Sequence, residues 1–184
     1  MIDFNTADLC DENKDIQIAD PIFKTYGESS KFFGKIRTVS VQDDNSFVKK
    51  LVQEKVNGEV MVIDGNASTK CALLGDNLAR IACENGWSGF IINGCIRDSD
   101  IINKISIGIK AINTVPIKSE KNNIGEYSKV LKFANVIFKE GHYVYSDSDG
   151  IVISNKIILK NNIIQTDMGL PYKVVACMRN MNDE

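Results

Sequence analysis

Three polar side chains define the chemistry that this chain could carry: Asp76 and the adjacent pair Arg97 and Asp98. A guanidinium offers a planar fork of donors that matches a carboxylate or an enolate oxygen. A single carboxylate is too little for a zinc cage, but it suits Mg²⁺, which keeps several waters and takes one or two protein carboxylates. The residue types therefore predict a site for a small anionic ligand and a divalent cation.

The elements between these side chains predict that they meet in space. Leu78 and Ile81 mark the apolar face of a helix over residues 76–85, and residues 89–93 form an apolar strand. A helix of that length spans about 15 Å, and a five-residue strand returns over about 17 Å. In a right-handed crossover, the start of the helix and the end of the next strand share the carboxyl edge of the sheet, where open α/β sheets bind ligands.

The start of the predicted helix has its own binding capacity. The backbone amides of the first turn have no intrahelical acceptor, and the helix dipole adds positive potential, so a ligand carboxylate fits there. Glycine at the first of these positions permits a close approach. The predicted substrate-binding positions here are Gly75, Asp76, Asn77 and Leu78.

A 2-oxo acid is the substrate class that these groups predict together. Asp98 would hold the cation, which polarises a ketone and stabilises the enolate formed when a carbon–carbon bond breaks. Arg97 would bind the substrate, and Asp76 would hold a water that donates or accepts a proton. The alternative from spacing alone is that Asp76 is only an N-cap and that Arg97 and Asp98 form an ordinary ion pair at a strand end.

The rest of the pattern predicts an α/β fold made of many short strands. Residues 60–64 form a continuous apolar run ended by Gly65 and Asn66, which is typical of a central strand buried on both faces. Thr6 or Asp8 is predicted to cap a short first helix, and a second helix is predicted from Phe47 up to Gly58. Other predicted strands are residues 34–41, 107–112, 130–138 and 150–154, and a further strand or helix at residues 172–178 is left unassigned.

Composition limits the partners and the compartment. The 184 residues, 43% of them hydrophobic, favour one domain over 1–184. A net charge of −2 without a basic stripe argues against direct nucleic-acid binding. Five cysteines without a CxxC pair and a single histidine favour a reducing cytoplasm over a disulfide scaffold or a zinc ribbon, and no apolar run is long enough for a membrane span.

Several runs resemble one family over about residues 3–154. The family contains the regulator of ribonuclease E activity A and the 4-hydroxy-4-methyl-2-oxoglutarate aldolases. Its aspartate, twenty residues, arginine, aspartate signature is met by Asp76, Arg97 and Asp98. The similar runs are residues 8–11, 62–65, 72–79, 86–89, 93–98, 107–109, 124–126 and 145–150. Residues 155–184 show no resemblance.

The resemblance implies a swivelling β/β/α fold and a ring-shaped homotrimer with sites between subunits. It also implies metal-dependent cleavage of 4-hydroxy-4-methyl-2-oxoglutarate to pyruvate, with oxaloacetate decarboxylation as a side activity. By this likeness residues 75–78 hold the substrate, Arg97 steadies the enolate, Asp98 anchors the metal through waters and Asp76 positions the proton-donating water. One departure is Ile101, where some aldolase relatives carry an acidic residue, although Asp100 is adjacent.

The same resemblance leaves a second function open. Some members regulate ribonuclease E by binding it and do not act as catalysts, and members known as regulators can lack the aspartate that follows the arginine. That aspartate is present here as Asp98. A third idea, a methyltransferase of menaquinone synthesis, lacks the glycine-rich cofactor loop that should follow a first strand.

Overall fold

A mixed sheet forms the frame of the protein in the computed structural model, which describes residues 4–159. The helices of this part are α1 (Thr6–Glu12), α2 (Ser46–Leu51), α3 (Asp76–Glu84) and α4 (Ser99–Ile102). The strands are β1 (Gln17–Ile18), β2 (Lys24–Tyr26), β3 (Phe32–Ser40), β4 (Val60–Leu74), β5 (Gly89–Ile96), β6 (Gly108–Thr114), β7 (Glu126–Tyr127), β8 (Leu131–Phe133), β9 (Val136–Phe138), β10 (Tyr143–Ser146) and β11 (Ile151–Ser154).

Four parallel strands, β3, β4, β5 and β6, are neighbours at the centre of the sheet. Antiparallel strands β10, β11 and β1 extend it beyond β3, and β2 borders β6 on the other side. Parallel neighbours require crossover connections. Each connection between the central strands contains one helix, α2, α3 or α4 in turn.

The first part of β4 is buried on both faces. Alternate residues of β4 point to opposite sides: Met61 and Ile63 pack in the core that includes α2 and α3, whereas Val60 and Val62 pack against the β8–β9 hairpin. All four side chains are inaccessible to solvent. The prediction of a doubly buried central strand is therefore confirmed, and the result is a mixed α/β domain of three layers.

The predicted end of β4 at Gly65 and Asn66 is wrong, because the strand continues to Leu74 with three register shifts against β5. The chain does turn locally at the predicted place. Asn66 and Ala67 have positive φ angles of 53° and 54°, and the Asp64 carboxylate accepts a hydrogen bond from the Asn66 amide at 2.9 Å. Leu74 then pairs with Ile96 at the end of β5, so Gly75 and Arg97, the next residues, lie side by side.

The second helix is shorter than predicted, since α2 ends at Leu51 and does not reach Gly58. The amides that would have continued it bind elsewhere. Val56 donates to the Asn85 carbonyl and Gly58 to the Gly86 carbonyl, so this segment pairs with the chain that leaves α3.

The other predicted elements have mixed outcomes. The third helix and the following strand are confirmed as α3 and β5, although β5 extends to Ile96. Residues 130–138 form the two strands of a hairpin instead of one. The unassigned segment 172–178 lies outside the described residues. No helix within residues 4–159 has the length and apolar character needed to cross a membrane.

A buried carboxylate fastens α1 to the sheet. Thr6 does not cap the helix as predicted, because Asn5 holds the N-cap position without a side-chain hydrogen bond. Thr6 instead donates its amide and its hydroxyl to Asp147, at 2.6 Å and 2.7 Å. Asp147 also accepts the amides of Asp149 and Gly150 in the β10–β11 turn.

Replacement of Asp147 by Asn should lower the free energy of unfolding by roughly 2 kcal/mol at pH 7, since one carboxylate acceptor becomes a donor that faces an amide. Burial raises the pKa of Asp147, but hydrogen bonds from Thr6 and the turn amides outweigh it and hold the pKa below its ordinary value of 3.8. A lowered folded-state pKa gives stability above the unfolded pKa that is lost as the pH falls through the folded pKa. The difference between the proteins should therefore shrink below about pH 4 in urea denaturation.

The matched control is Asp149→Asn, which changes an exposed carboxylate two residues away. We expect it to keep the free energy of unfolding of the wild type within about 0.5 kcal/mol. Equal effects of the two substitutions at pH 7 would contradict the role of Asp147.

Candidate functional site

The start of α3 and the end of β5 lie against each other at one edge of the sheet. A Cβ atom built on Gly75 would sit 2.9 Å from Asp98 Oδ2 and 3.2 Å from Arg97 Nε. The backbone joins them too, because the Arg97 amide donates to the Leu74 carbonyl at 3.0 Å. The structure therefore brings Gly75, Arg97 and Asp98 together, and only glycine leaves room for this arrangement.

Asp98 turns the chain out of β5. Its backbone is left-handed, with φ 59° and ψ 36°, a conformation that aspartate and asparagine adopt more readily than most residues. Its carbonyl accepts the amides of Ile101 and Ile102 in the short α4. The carboxylate makes no capping bond to that helix and remains directed at Gly75.

Arg97 and Asp98 form an ion pair, with Nε and Oδ2 3.3 Å apart. Their side chains are 37% and 34% exposed. A pair this accessible contributes little to stability. The predicted ion pair between Arg97 and Asp98 is therefore present. Its small contribution to stability does not explain the left-handed backbone of Asp98 or the glycine at position 75.

Asp76 is the first residue of α3 and is not its N-cap, so that alternative is wrong. The N-cap is Gly75, with an extended φ of −129° and ψ of 178°. Its carbonyl accepts the Ala79 amide at 3.1 Å, which leaves the earlier amides of the first turn without an intrahelical acceptor.

A cleft of about 330 Å³ opens at the start of α3. Its volume is at the lower end of the range for small-molecule sites. Four of its side chains are cationic and one is a carboxylate, so its charge favours an anion. The lining residues are Asn45, Lys49, Ala72, Gly75, Asp76, Asn77, Leu78, Ile81, Arg97, Lys118, Ser119 and Lys121.

Arg97 lines this cleft and also a second cavity of about 250 Å³ on its other side. Asp98 lines the second cavity, together with Thr114 and Val115 at the end of β6. The predicted substrate positions 75–78 thus line the first cleft. The predicted metal-binding carboxylate of Asp98 lies against Gly75 and lines the second cavity. Their chemical roles stay predictions.

Sequence reasoning missed the lysines of the cleft. Lys49 is on α2, and Lys118 and Lys121 are in the segment that follows β6. An isolated bridge between Ala72 and Lys118 brings this segment to the site. The charges of these lysines did not predict their place in the cleft, because the bridge between Ala72 and Lys118 joins residues that are distant in the chain.

The donor set fits a cation held mainly by water. Among the described residues, no group of three or more histidine, cysteine, aspartate or glutamate side chains is arranged to hold a metal. Asp98 supplies one partly exposed carboxylate with an oxygen at the Gly75 backbone. That fits Mg²⁺, which needs one or two protein carboxylates and retains several waters, and does not fit a zinc cage.

Two residues near the ends of β5 have structural roles. Cys95 is only 1% exposed, and burial raises the pKa of its thiol, which disfavours the reactive thiolate. Trp87 is fully buried and donates its Nε1 hydrogen to the Glu54 carbonyl at 3.2 Å.

One protein family matches most of the described chain. The family model described as RraA-like, aldolase/RraA, matches residues 6–153. The chain belongs to this family.

Two relatives show how far the similarity extends. A Methylococcus capsulatus protein is 43% identical over 161 residues, covering 86% of this chain and 100% of that protein. A Bacillus anthracis protein is 48% identical over 154 residues, covering 83% and 97%. Both are provisionally named 4-hydroxy-4-methyl-2-oxoglutarate aldolase.

Solved structures in the family carry other names. One from Geobacillus kaustophilus, described as an S-adenosylmethionine:2-dimethylmenaquinone methyltransferase, is 46% identical with a TM-score of 0.84 and covers 86% of this chain and 99% of its own. The RNA-processing inhibitor RraA from Thermus thermophilus is 32% identical with a TM-score of 0.82 and covers 92% and 99%. The fold is therefore shared by proteins with different assigned functions.

Substitution of Gly75 by Ala should disturb the site and spare the fold. Its backbone angles suit alanine, and the atoms that the new Cβ meets belong to partly exposed side chains. We expect the free energy of unfolding to change by no more than about 1 kcal/mol, while the Asp98 carboxylate moves away from α3. Denaturation and a crystal structure of the variant measure the two effects.

Gly150→Ala is the matched control, because a Cβ at Gly150 meets nothing within 4 Å. It should leave both the stability and the position of Asp98 unchanged. An unmoved Asp98 carboxylate in Gly75→Ala would contradict the predicted steric role of Gly75.

Proposed function

We propose that the protein is a divalent-cation-dependent lyase that cleaves 4-hydroxy-4-methyl-2-oxoglutarate to pyruvate, with Mg²⁺ as its cation. The observation that carries this proposal is the contact of Asp98 and Arg97 with Gly75 beside a cationic cleft. Relatives that are provisionally named for this activity, at 43% and 48% identity, support the choice of substrate.

The reaction divides a six-carbon acid into two pyruvates. The C4 hydroxyl loses its proton, the C3–C4 bond breaks, and C4 becomes the ketone of the first pyruvate. The electron pair of that bond passes to the C1–C3 fragment as an enolate, which takes a proton at C3 to give the second pyruvate. When bound, the cation supplies the Lewis acidity that polarises the C2 ketone.

The residues of this chain bind and orient the substrate. The free amides at the start of α3 bind the C1 carboxylate. The Arg97 guanidinium holds the oxygen on which negative charge develops, where a preorganised donor lowers the barrier. Asp98 anchors the cation through waters, and Asp76 holds a water that exchanges a proton with the substrate.

Oxaloacetate should be a second substrate. Loss of CO₂ from its C4 breaks the corresponding C3–C4 bond and leaves the same pyruvate enolate. It needs no proton acceptor for a C4 hydroxyl, so decarboxylation depends on Arg97 and Asp98 more than on Asp76. The replacement of an acidic residue by Ile101, which is 43% exposed on α4, affects the aldol substrate first.

With oxaloacetate or 4-hydroxy-4-methyl-2-oxoglutarate and Mg²⁺, the protein should release pyruvate, measured with a coupled lactate dehydrogenase assay. Asp98→Asn keeps a side chain that suits the left-handed backbone and should lower kcat/KM by roughly a hundredfold. The control Asp100→Asn, at an exposed position of α4, should stay within about twofold of the wild type. A wild type that releases no pyruvate from either substrate would contradict the proposal.

We also propose that the chain acts as a ring-shaped homotrimer with its sites between subunits. Four large apolar side chains are exposed along one stretch of chain, Ile117, Ile124, Tyr127 and Val130. Contact with another subunit would remove this surface from water.

Light scattering should give a mass near three times the 20.4 kDa of one chain. Ile124→Lys should weaken the assembly, since it introduces a charge at a position that is 57% exposed in the single chain. Ile157→Lys, at a position 41% exposed elsewhere, serves as its control. A monomeric wild type at micromolar concentration would contradict the trimer.

A second candidate is a non-catalytic regulator that binds ribonuclease E. The observation favouring it is the 32% identity to the RNA-processing inhibitor RraA, with a TM-score of 0.82. A pull-down with the C-terminal half of ribonuclease E at low salt separates the two candidates. A methyltransferase is not proposed, since no glycine-rich cofactor loop follows β3 in the sequence.

A further inference from the structure

The segment over residues 116–124 brings two lysines and a serine to the cleft, yet it has little to hold it in shape. Of these residues only Ser119 is buried. The segment contains isolated bridges but no helix or strand. With so little apolar burial, its conformation depends on hydrogen bonds to the rest of the protein.

Asp44 supplies two of those hydrogen bonds from one oxygen. Its Oδ2 accepts the amide of Asn122 at 2.5 Å and the amide of Ile124 at 3.3 Å. The side chain is only 1% exposed, although the chain on either side of it is more accessible. A carboxylate at this depth persists because backbone donors surround it.

The other oxygen of Asp44 holds a second wall of the cleft, the start of α2. Oδ1 accepts the amide of Ser46, the first residue of α2, at 2.6 Å. Asn45 and Lys49, on either side of that residue, line the same cleft as Lys118 and Lys121. One buried carboxylate therefore ties together the two walls that carry three of the four cations.

Hydrogen bonds between backbone groups hold only part of the segment 116–124. The Glu120 amide donates to the Asp43 carbonyl at 3.1 Å, and the Ala72 amide donates to the Ile117 carbonyl at 2.8 Å. Both contacts hold the first half of the segment. Lys121 and the residues after it lie beyond these two contacts, so their position depends on Asp44 and on an exposed hydrogen bond from Lys50 to Asn123.

The carboxylate is ionised when the protein works near neutral pH. Burial by itself raises the pKa of Asp44, but hydrogen bonds from Ser46 and from the two amides of the segment outweigh it and hold the pKa below its ordinary value of 3.8. Charge-assisted hydrogen bonds of this kind are about twice as strong as neutral ones.

We propose that Asp44 is a positioning residue for the anionic substrate, because it fixes the lysine-bearing segment 116–124 against the start of α2 and so shapes the cationic wall of the cleft. The inference rests on the proposed function and deepens it. It assigns recognition of a dianionic 2-oxo acid to Lys49, Lys118 and Lys121 of the cleft, while bond cleavage stays with Arg97 and Asp98.

The test compares Asp44→Asn with its neighbour Asp43→Asn in the full-length protein. An amide in place of the carboxylate removes one of the two acceptors, so one wall loses its attachment. Asp43 is the matched control, since its φ of 51° suits asparagine and its carbonyl bond to Glu120 survives. Its carboxylate faces Ser68, Lys70 and Cys71 instead of the segment.

We expect Asp44→Asn to raise KM for oxaloacetate about tenfold or more and to leave kcat within about threefold, because substrate binding is weakened and the reacting groups stay in place. Affinity for oxalate with MgCl₂, measured by calorimetry, should fall by a similar factor. Hydrogen exchange of the peptide over residues 116–125 should accelerate. Asp43→Asn should match the wild type in all three measurements.

A variant Asp44→Asn that loses thermal stability but keeps the KM and oxalate affinity of the wild type would show a merely structural role and overturn the inference. An equal rise in KM for Asp43→Asn would do the same. If the wild type turns over neither substrate but binds oxalate more tightly than Asp44→Asn, only the proposed reaction fails. If the wild type and the variant bind oxalate equally, or neither binds it, the inference about Asp44 fails.

Discussion

The parallel pairing of β4 with β5 is the constraint on which the site depends. All of β5 and residues 60–63 and 71–74 of β4 are buried, so a slip in register would misplace closely packed side chains and leave cavities in the core. The pairing continues past the turn at Asn66 and ends with Leu74 beside Ile96. Gly75 and Arg97 follow directly, and the core thereby fixes the distance between the start of α3 and the end of β5.

Outside the sheet, buried carboxylates take over the organising role. Asp44 and Asp147 each accept backbone amides from segments that are distant in the chain. Burial alone raises the pKa of both carboxyls, but the hydrogen bonds that they accept outweigh this effect and lower the pKa of each. The rim of the cleft and the attachment of α1 thus rest on electrostatic contacts, whereas the centre of the molecule rests on apolar packing.

Local pattern predicted the elements that apolar periodicity defines, and it failed where long-range contacts decide. The strand from Val60 was predictable from its continuous apolar run, and α3 from apolar residues at helical spacing. The extension of β4 to Leu74 and the early end of α2 at Leu51 were not, because each depends on pairing with a distant segment. The approach of Arg97 and Asp98 to Gly75 at the start of α3 followed from element lengths. The lysines of the cleft were not predicted, since Lys118 reaches the cleft through a bridge to the distant Ala72.

The left-handed backbone of Asp98 allows its carboxylate to be replaced without a change in the course of the chain. At a φ of 59° asparagine and glycine are both comfortable, and each differs from an aspartate codon by one nucleotide. A single base change can thus delete the carboxylate while the strand, the turn and α4 keep their course. Under the proposed function, such a variant would lack the carboxylate that anchors the cation and would keep the fold and the surfaces through which a protein partner could bind.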